Sequence, residues 1–230
     1  RINTPFSRGY ANGLMSDAYL NFGEYKTSIF YWRKVIDITE NELPGELTAV
    51  YGNSAIIFAR AKEYDSALIY VKKAYRALYE DSNVIHDSSA IKFFSSNIFE
   101  AWGEAFAGKQ QYDSALYYYH ISLHFSESID MRFNKIDDCN GIADIYKKQG
   151  YNDSAIYYLK KVFAINGVTK RYPISVLKSA TLLAALYEAK QQPDSSLKYM
   201  HIASDIKDSV YSRDKTSAFQ NIIFQQKEKE

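Results

Sequence analysis

The polar and apolar positions of this sequence recur with a period of about 40 residues. In four short segments an Asp and a Ser are followed by a small residue and then by an aliphatic one. These segments are 64–68, 112–116, 152–156 and 193–197, and a weaker copy covers 25–29. The small residue of each copy serves as a reference position. The reference positions are Ser28, Ala67, Ala115, Ala155 and Ser196, separated by 39, 48, 40 and 41 residues. A period sustained along the whole chain predicts a repeat architecture.

Residues at fixed distances from each reference position share size and polarity. The residue twelve positions earlier is always small: Ser16, Ala55, Gly103, Ala143 and Ala184. The residue nine positions earlier is always aromatic: Tyr19, Phe58, Phe106, Tyr146 and Tyr187. Four positions later stand Trp32, Val71, Tyr119, Leu159 and Met200. These spacings lie on one helix face, so each repeat is predicted to contain two amphipathic helices, near 9–40, 48–80, 90–126, 136–166 and 177–205.

An acidic residue stands before the second predicted helix of four repeats, as Asp65, Asp113, Asp153 and Asp194. A side-chain oxygen at this place can accept hydrogen bonds from the free amides of the first helical turn. The sequence therefore predicts that Asp or Ser caps the second helix. Neither helix of a repeat can bury its apolar stripe alone, so neighbouring repeats are expected to stack into a continuous core.

The composition agrees with helices and excludes several other classes. Glycine and proline total only 14 of 230 residues, too few for the frequent turns of a β-sandwich or barrel. The 28 basic and 27 acidic side chains nearly cancel, which gives no electrostatic footprint for nucleic acid. One cysteine forms no internal disulfide, and no apolar run approaches the 18 residues of a membrane span. The many tyrosines recur at packing positions, so most are expected in the core.

The repeated positions resemble those of the tetratricopeptide repeat (TPR) family over roughly residues 9–205. The resemblance implies an all-α fold, a right-handed α-solenoid of five TPR-like helix pairs with a C-terminal capping helix. The usual TPR period is about 34 residues, so longer helices or loops are implied here. The largest spacing suggests a longer loop near residues 80–89. We predict one solenoid at 1–205 and a capping or linker helix at 206–230, in which Phe219, Ile222 and Ile223 form an apolar stripe.

A looser resemblance concerns the Tyr-Asp-Ser-Ala character of the repeats and the polar segment that follows them. Both are similar to the repeat sensor region of bacterial, Bacteroidetes-like, histidine kinases or helix-turn-helix regulators. Because the chain begins at Arg1 and ends in alternating Lys and Glu, it is expected to be part of a longer protein. The sequence does not distinguish the periplasm from the cytoplasm of a bacterial cell.

Residues capable of chemistry are few and scattered. The sequence contains no phosphate-binding glycine loop and no cysteine pair for zinc. His120 and His124 share a helix face but lack a third ligand, so an exposed helix face is the favoured interpretation over a metal site. Cys139 occupies a position that faces the core in TPR proteins, which favours a buried thiol over a nucleophile. We therefore expect no catalytic residue, no metal and no cofactor, and a binding function rather than an enzyme.

In TPR proteins the first helices of successive repeats line a concave groove. The resemblance places a candidate ligand groove at the corresponding positions of the third and fourth repeats: Asn97, Glu100, Glu104, Asp137, Asn140, Asp144 and Lys148. Four carboxylates on adjacent inner faces would favour a basic or polar extended protein segment, and the alternative is a solvated charged face. The expected function is protein or peptide binding in a bacterial signal-transduction protein. The other candidates are an assembly scaffold without signalling output and, least favoured, an enzyme.

Overall fold

A computed structural model describes residues 4–79, 88–166 and 173–210, and these residues are almost entirely helical. The helices are α1 (Pro5–Asn21), α2 (Tyr25–Glu42), α3 (Leu47–Arg60), α4 (Tyr64–Tyr79), α5 (Ser88–Gly108), α6 (Tyr112–Ser128), α7 (Arg132–Lys148), α8 (Asn152–Asn166), α9 (Pro173–Ala189) and α10 (Pro193–Val210). A short 3₁₀ helix, Pro44–Glu46, precedes α3. The described ranges contain no strand. The predicted all-α class is confirmed.

The helices follow the predicted pairing, with two helices in each of the five repeats. The expected loop near 80–89 is described only at its end, where Ser88 and Ser89 already belong to α5, and residues 80–87 lie outside the described residues. Of the predicted capping helix, residues 206–210 are the end of α10, and 211–230, with Phe219, Ile222 and Ile223, lie outside the described residues. No helix in the described part of the chain is long and apolar enough to span a bilayer.

The chain divides into two compact bodies, an N-terminal body of residues 1–141 and a C-terminal body of residues 142–230. The division falls inside α7. The N-terminal body therefore contains α1 to α6 and the first part of α7, and the C-terminal body contains the rest of α7 with α8, α9 and α10.

Small residues bring the two helices of a repeat into contact. In the first repeat Ser16 and Ser28 are both fully buried and their hydroxyl oxygens lie 3.0 Å apart in a hydrogen bond. In the fifth repeat the Ser196 hydroxyl donates to the backbone oxygen of Ala184 at 3.0 Å. Serine thus replaces alanine at these reference positions without leaving a buried hydroxyl unpaired.

The residue four positions after the reference packs against the next repeat. The indole nitrogen of Trp32 in α2 donates to the Ser54 hydroxyl of α3 at 2.7 Å. The ring of Tyr119 in α6 lies against Gly103 of α5 and Gly141 of α7, where a Cβ at either glycine would overlap the ring. Tyr119 therefore requires a residue without a side chain on both neighbouring helices.

The C-terminal body buries the same positions, except the position four residues after the reference in its last helix. Ala143, Ala155, Leu159 and Leu183 belong to one buried cluster. The four counterparts of Met200 in the other repeats are buried, but Met200 is 56% exposed. In the other repeats the following helix covers this position, and among the described residues no helix follows α10.

A left-handed residue reverses the chain between the two helices of every repeat. The residue five positions before the reference has a positive φ in all five cases: Gly23, Lys62, Gln110, Gly150 and Gln191. The backbone N–H of the following residue donates to the carbonyl oxygen of the aromatic residue that stands nine positions before the reference. In the second repeat, for example, Glu63 N donates to Phe58 O at 2.8 Å. This pairing is the Schellman arrangement that ends a helix. The aromatic side chain therefore packs in the core, and the backbone carbonyl of the same residue closes the turn.

The predicted aspartate caps are wrong in their position. Asp65, Asp113, Asp153 and Asp194 are the second residues of α4, α6, α8 and α10. At α6 the cap residue is Gln111, whose side chain makes no capping hydrogen bond. Each of these helices begins directly after the left-handed turn, before the aspartate is reached. The carboxylates therefore lie inside the first helical turn, where the positive end of the helix dipole stabilises them.

Two of these aspartates form ion pairs with the repeat that follows. Lys109, six positions before its reference residue, lies 2.6 Å from Asp65 of the preceding repeat in the N-terminal body. Lys190 pairs with Asp153 in the same relation within the C-terminal body. Both aspartates are 86% exposed, so each pair is expected to contribute less than about 1 kcal/mol.

The left-handed turns allow a reciprocal test. We expect Lys62→Gly to raise the free energy of unfolding by about 0.5 to 1 kcal/mol, because glycine adopts positive φ without the clash that a Cβ causes. Gly23→Lys, at the equivalent turn of the first repeat, is expected to lower it by about 1 kcal/mol. Chemical denaturation of both variants measures the two effects. Equal destabilisation by both would contradict a role for the backbone conformation.

Gly103 provides a second test of the core. A Cβ at this position would lie 2.7 Å from the Tyr119 ring, so Gly103→Ala is expected to lower the free energy of unfolding by about 1 to 3 kcal/mol. Gly9→Ala in α1, where nothing lies within 4 Å of a Cβ, is the matched control and is expected to be neutral or stabilising. Thermal unfolding followed by circular dichroism distinguishes the two outcomes.

Candidate functional site

Charged side chains from three first helices meet in the N-terminal body. Arg60, the last residue of α3, places its Nη2 atom 3.2 Å from Asp137 Oδ2 of α7. Its Nε atom lies 3.8 Å from Glu104 Oε1 of α5. The three side chains are 33%, 15% and 29% exposed respectively. Arg60 therefore links three repeats, since its partner Asp137 is 77 residues away in the chain. We call these residues, with Glu100 and Asp138, the Arg60 cluster.

Beneath Arg60 lies a layer of buried polar side chains. Glu100 is only 2% exposed, and its Oε2 accepts a hydrogen bond of 2.7 Å from the Asn134 amide nitrogen. The same nitrogen donates to Asn97 Oδ1 at 2.8 Å. The Asn134 Oδ1 atom has no hydrogen-bond partner. Asn97, Glu100 and Asn134 thus form a chain of contacts between α5 and α7.

Asp138 is fully buried beside this layer. Its Oδ2 lies 2.7 Å from the Ser122 hydroxyl oxygen, which in turn lies 2.9 Å from the Ser96 carbonyl oxygen. A hydroxyl has one hydrogen, so Ser122 donates either to Asp138 Oδ2 or to the Ser96 carbonyl oxygen. The other oxygen, Oδ1, has no hydrogen-bond partner. One carboxyl oxygen of Asp138 therefore meets a hydroxyl group, and the other is buried without a partner.

Burial and mutual repulsion favour the neutral acids. Burial raises the pKa of Glu100 well above its usual value, the charges of Asp137 and Asp138 add to the rise, and Arg60 opposes it. Burial likewise raises the pKa of Asp138 well above its usual value, although the hydrogen bond from Ser122 opposes the rise. Burial opposes the charge of Arg60, yet Glu104, Asp137 and Glu100 raise its pKa, so the guanidinium remains charged. At neutral pH the cluster is expected to carry one cation and two partly exposed carboxylates.

The predicted groove residues divide into accessible and inaccessible members. Glu104 and Asp137 are partly exposed, and Asn97 is partly buried. Glu100 and Asn140 were expected to face a ligand, but they are only 2% and 1% exposed, so contact with a ligand at these two positions stays a prediction.

Asp144 and Lys148 lie in the C-terminal body. They form an ion pair of 2.8 Å with each other, one helical turn apart on α7. Lys148 is exposed and Asp144 is partly exposed. Both therefore remain candidates for contact with a ligand, separately from the Arg60 cluster.

Sequence reasoning missed Asp138, the fully buried acid of the cluster. Asp138 stands seventeen positions before its reference residue, where the other repeats have Ala11, Val50, Ile98 and Ser179. An acid in a position otherwise held by apolar or small residues is the signal that predicts a buried carboxyl group. The sequence offers a weaker indication of the role of Arg60. Nothing in the repeat spacing showed that its side chain extends past α5 to reach Asp137 on α7.

The residues considered for chemistry have ordinary surroundings. His120 and His124 are both exposed on α6, as predicted. Cys139 is a buried thiol, also as predicted. Within the described ranges no group of three or more His, Cys, Asp or Glu side chains has the geometry to hold a metal ion.

Comparison with known proteins identifies the fold of this chain. No protein-family model and no curated protein matches the sequence. The structure is similar to the crystal structure of aspartyl phosphate phosphatase F from Bacillus subtilis, with a TM-score of 0.70, 15% identity, and coverage of 94% of this chain and 55% of that chain. This chain therefore spans about half of that phosphatase.

Two other solved structures are similar over most of their own length. For BtubC (BKLC) from P. vanneervenii the TM-score is 0.64 with 16% identity, covering 90% of this chain and 84% of that chain. For the putative kinesin light chain of Podosopora anserina with nearly identical TPR-like repeats it is 0.52 with 16% identity, covering 92% and 100%. The fold is thus TPR-like, as the repeat positions predicted.

The neutral buried acids predict a dependence of stability on pH. Because the folded-state pKa of Glu100 exceeds its unfolded value, its stabilising effect is complete below the unfolded pKa and is lost as pH rises through the folded pKa. Each tenfold change in acid dissociation is about 1.4 kcal/mol. Glu100→Gln is therefore expected to be more stable than the wild type at pH 8 and to lose this advantage below about pH 4.

Urea denaturation of Glu100→Gln and wild type between pH 4 and pH 8 measures this difference. Asp113→Asn, a change at an exposed carboxylate in the first turn of α6, is the control and is expected to show no such gain at high pH. A Glu100→Gln curve parallel to that of the wild type across the whole range would contradict a neutral Glu100.

Proposed function

We propose that this chain is a protein- or peptide-binding region that uses the inner face of its first helices, as the sensor or interaction part of a bacterial signal-transduction protein. The observation that carries the binding proposal is the Arg60 cluster. Side chains of α3, α5 and α7 converge there although they belong to three different repeats. A surface built from several repeats is suited to contact an extended segment along its length.

The charge of the cluster supports a basic or polar partner. Glu104 and Asp137 are partly exposed carboxylates, and both approach the Arg60 guanidinium. Asp17 of α1 adds a further acid, whose pKa is raised by burial and lowered by Arg60. An incoming Lys or Arg side chain would meet more negative than positive charge at neutral pH. Such complementarity increases association rate and specificity more than affinity.

The signalling role rests on the resemblance of the repeats to bacterial sensor regions and not on the TPR-like fold, which many functions share. The sequence of the full-length gene product tests it. A histidine kinase or helix-turn-helix module in the same polypeptide would support the sensor role. A polypeptide without an output module would favour an assembly scaffold.

The binding proposal predicts a charge-dependent loss of affinity. We expect the double variant Glu104→Gln/Asp137→Asn to bind lysine- and arginine-containing 12-residue peptides at least about tenfold more weakly than the wild type, a change of about 1.4 kcal/mol. The partly exposed positions and the similar shapes of the new side chains keep the fold. Fluorescence anisotropy with peptides selected from a random library against the whole chain measures the affinity.

The matched control has the same net charge on another surface. Asp113→Asn/Glu127→Gln removes two exposed carboxylates of α6, a second helix, and is expected to leave the affinity unchanged. Raising the salt concentration should weaken wild-type binding more than binding by the Glu104/Asp137 variant. Equal losses in both double variants would show only a general charge effect and would contradict the inner-face site.

A further inference from the structure

A small pocket opens between α3 and α5 in the N-terminal body. Its volume is about 80 Å³. Thr48, Gly52 and Asn53 line it from α3, and Phe93, Asn97 and Ile98 line it from α5. The pocket lies on first helices of consecutive repeats, and Asn97 connects it through Asn134 to the Arg60 cluster.

Gly52 creates this pocket by lacking a side chain. It is buried in the middle of α3, yet a Cβ built on it would have nothing within 4 Å. Gly103 and Gly141 differ, because the Tyr119 ring fills the space beside each of them. Glycine is the poorest helix former after proline. At position 52 neither close packing nor a left-handed backbone requires a glycine. The absence of a side chain there does leave the pocket open.

Thr48 supplies a second, independent feature. Its side chain is 3% exposed and lines the pocket, and its Oγ1 atom has no hydrogen-bond partner. A buried hydroxyl without a partner is unfavourable, because it has lost its hydrogen bonds to water. A polar atom that enters the pocket would satisfy it. The pocket therefore combines an apolar wall at Phe93 and Ile98 with one unsatisfied hydroxyl.

We propose that this pocket binds one short, hydroxyl-bearing side chain, threonine in size and chemistry, of an extended peptide. This inference rests on the peptide-binding function proposed above and names the residue that anchors the peptide. The volume decides the size, since an apolar cavity of about 150 Å³ accepts benzene, and about half of that volume suits a three-atom branched side chain. The methyl group contacts the apolar wall, and the hydroxyl pairs with Thr48.

The rim of the pocket positions the peptide backbone. Asn53 is exposed, and its amide can both donate to and accept from a peptide group. Asn97 accepts from Asn134 through Oδ1, so its amide NH₂ is the group that meets a peptide carbonyl. Two asparagines on adjacent helices thus hold the backbone on either side of the anchored side chain.

The test uses a random 12-residue peptide library selected against the whole chain. Selected peptides are expected to share one position restricted to threonine, with valine and serine as weaker substitutes. Gly52→Val fills the pocket and is expected to weaken binding at least about tenfold. Gly9→Val on α1, where a Cβ also meets nothing within 4 Å, is the matched control and should retain wild-type affinity.

Two further measurements separate the contributions. Thermal unfolding of Gly52→Val is expected to match that of Gly9→Val within a few degrees, and a much lower midpoint for Gly52→Val would overturn the open pocket. Thr48→Val keeps the shape of the side chain and removes the hydroxyl. It is expected to abolish the preference for threonine over valine in the peptide while leaving the valine peptide bound as in the wild type.

The outcomes distinguish this inference from the proposed function. Peptides that bind wild type and Gly52→Val equally well, yet lose affinity for Glu104→Gln/Asp137→Asn, would overturn the pocket and support the charged inner face. A threonine preference that survives in Thr48→Val would overturn the role of the hydroxyl. A library that yields no binding peptide would contradict both proposals.

Discussion

The two helices of a repeat come close together only where neither carries a large side chain. Ser16 meets Ser28 at such a place through a hydrogen bond, and Ser196 meets Ala184 in the same way. The aromatic residue three positions beyond the first of these small residues then covers the joint, and its carbonyl closes the turn. One short stretch of each first helix therefore sets helix separation, helix length and chain reversal together.

This constraint also explains why polar chemistry gathers on the first helices. Each first helix packs one face against its second helix and other faces against the neighbouring repeats. Arg60, Glu104 and Asp137 meet on the face that remains. The buried acids Glu100 and Asp138 are tolerated because they can hold a proton, and a neutral carboxyl group costs far less to bury than a carboxylate. The same layer leaves polar atoms of Asn134 and Asp138 without partners, which is a loss of stability that better packing would avoid.

Much of the architecture was predictable because helical periodicity and residue size are local properties. The buried small positions and the aromatic positions followed from spacing, and the burial of Cys139 followed from the resemblance to TPR proteins. The sequence did not predict that Glu100 and Asn140 are buried, because groove exposure was transferred from a family resemblance and not from the side chains that pack around each position. It did not predict the exposure of Met200 either, because burial there depends on a following helix. The link from Arg60 to Asp137 depends on a long side chain crossing an intervening helix, which no repeat spacing encodes.

The ion pairs between consecutive repeats have a consequence for how such a chain can change in evolution. Lys109 and Asp65 belong to different repeats, as do Lys190 and Asp153, so at these two borders each of the adjoining repeats contributes half of a contact. A duplicated or transplanted repeat keeps this contact only when its new neighbour offers the opposite charge at the matching position. Repeats with the same core are therefore not freely interchangeable, and the charges at their borders favour one order along the chain over others.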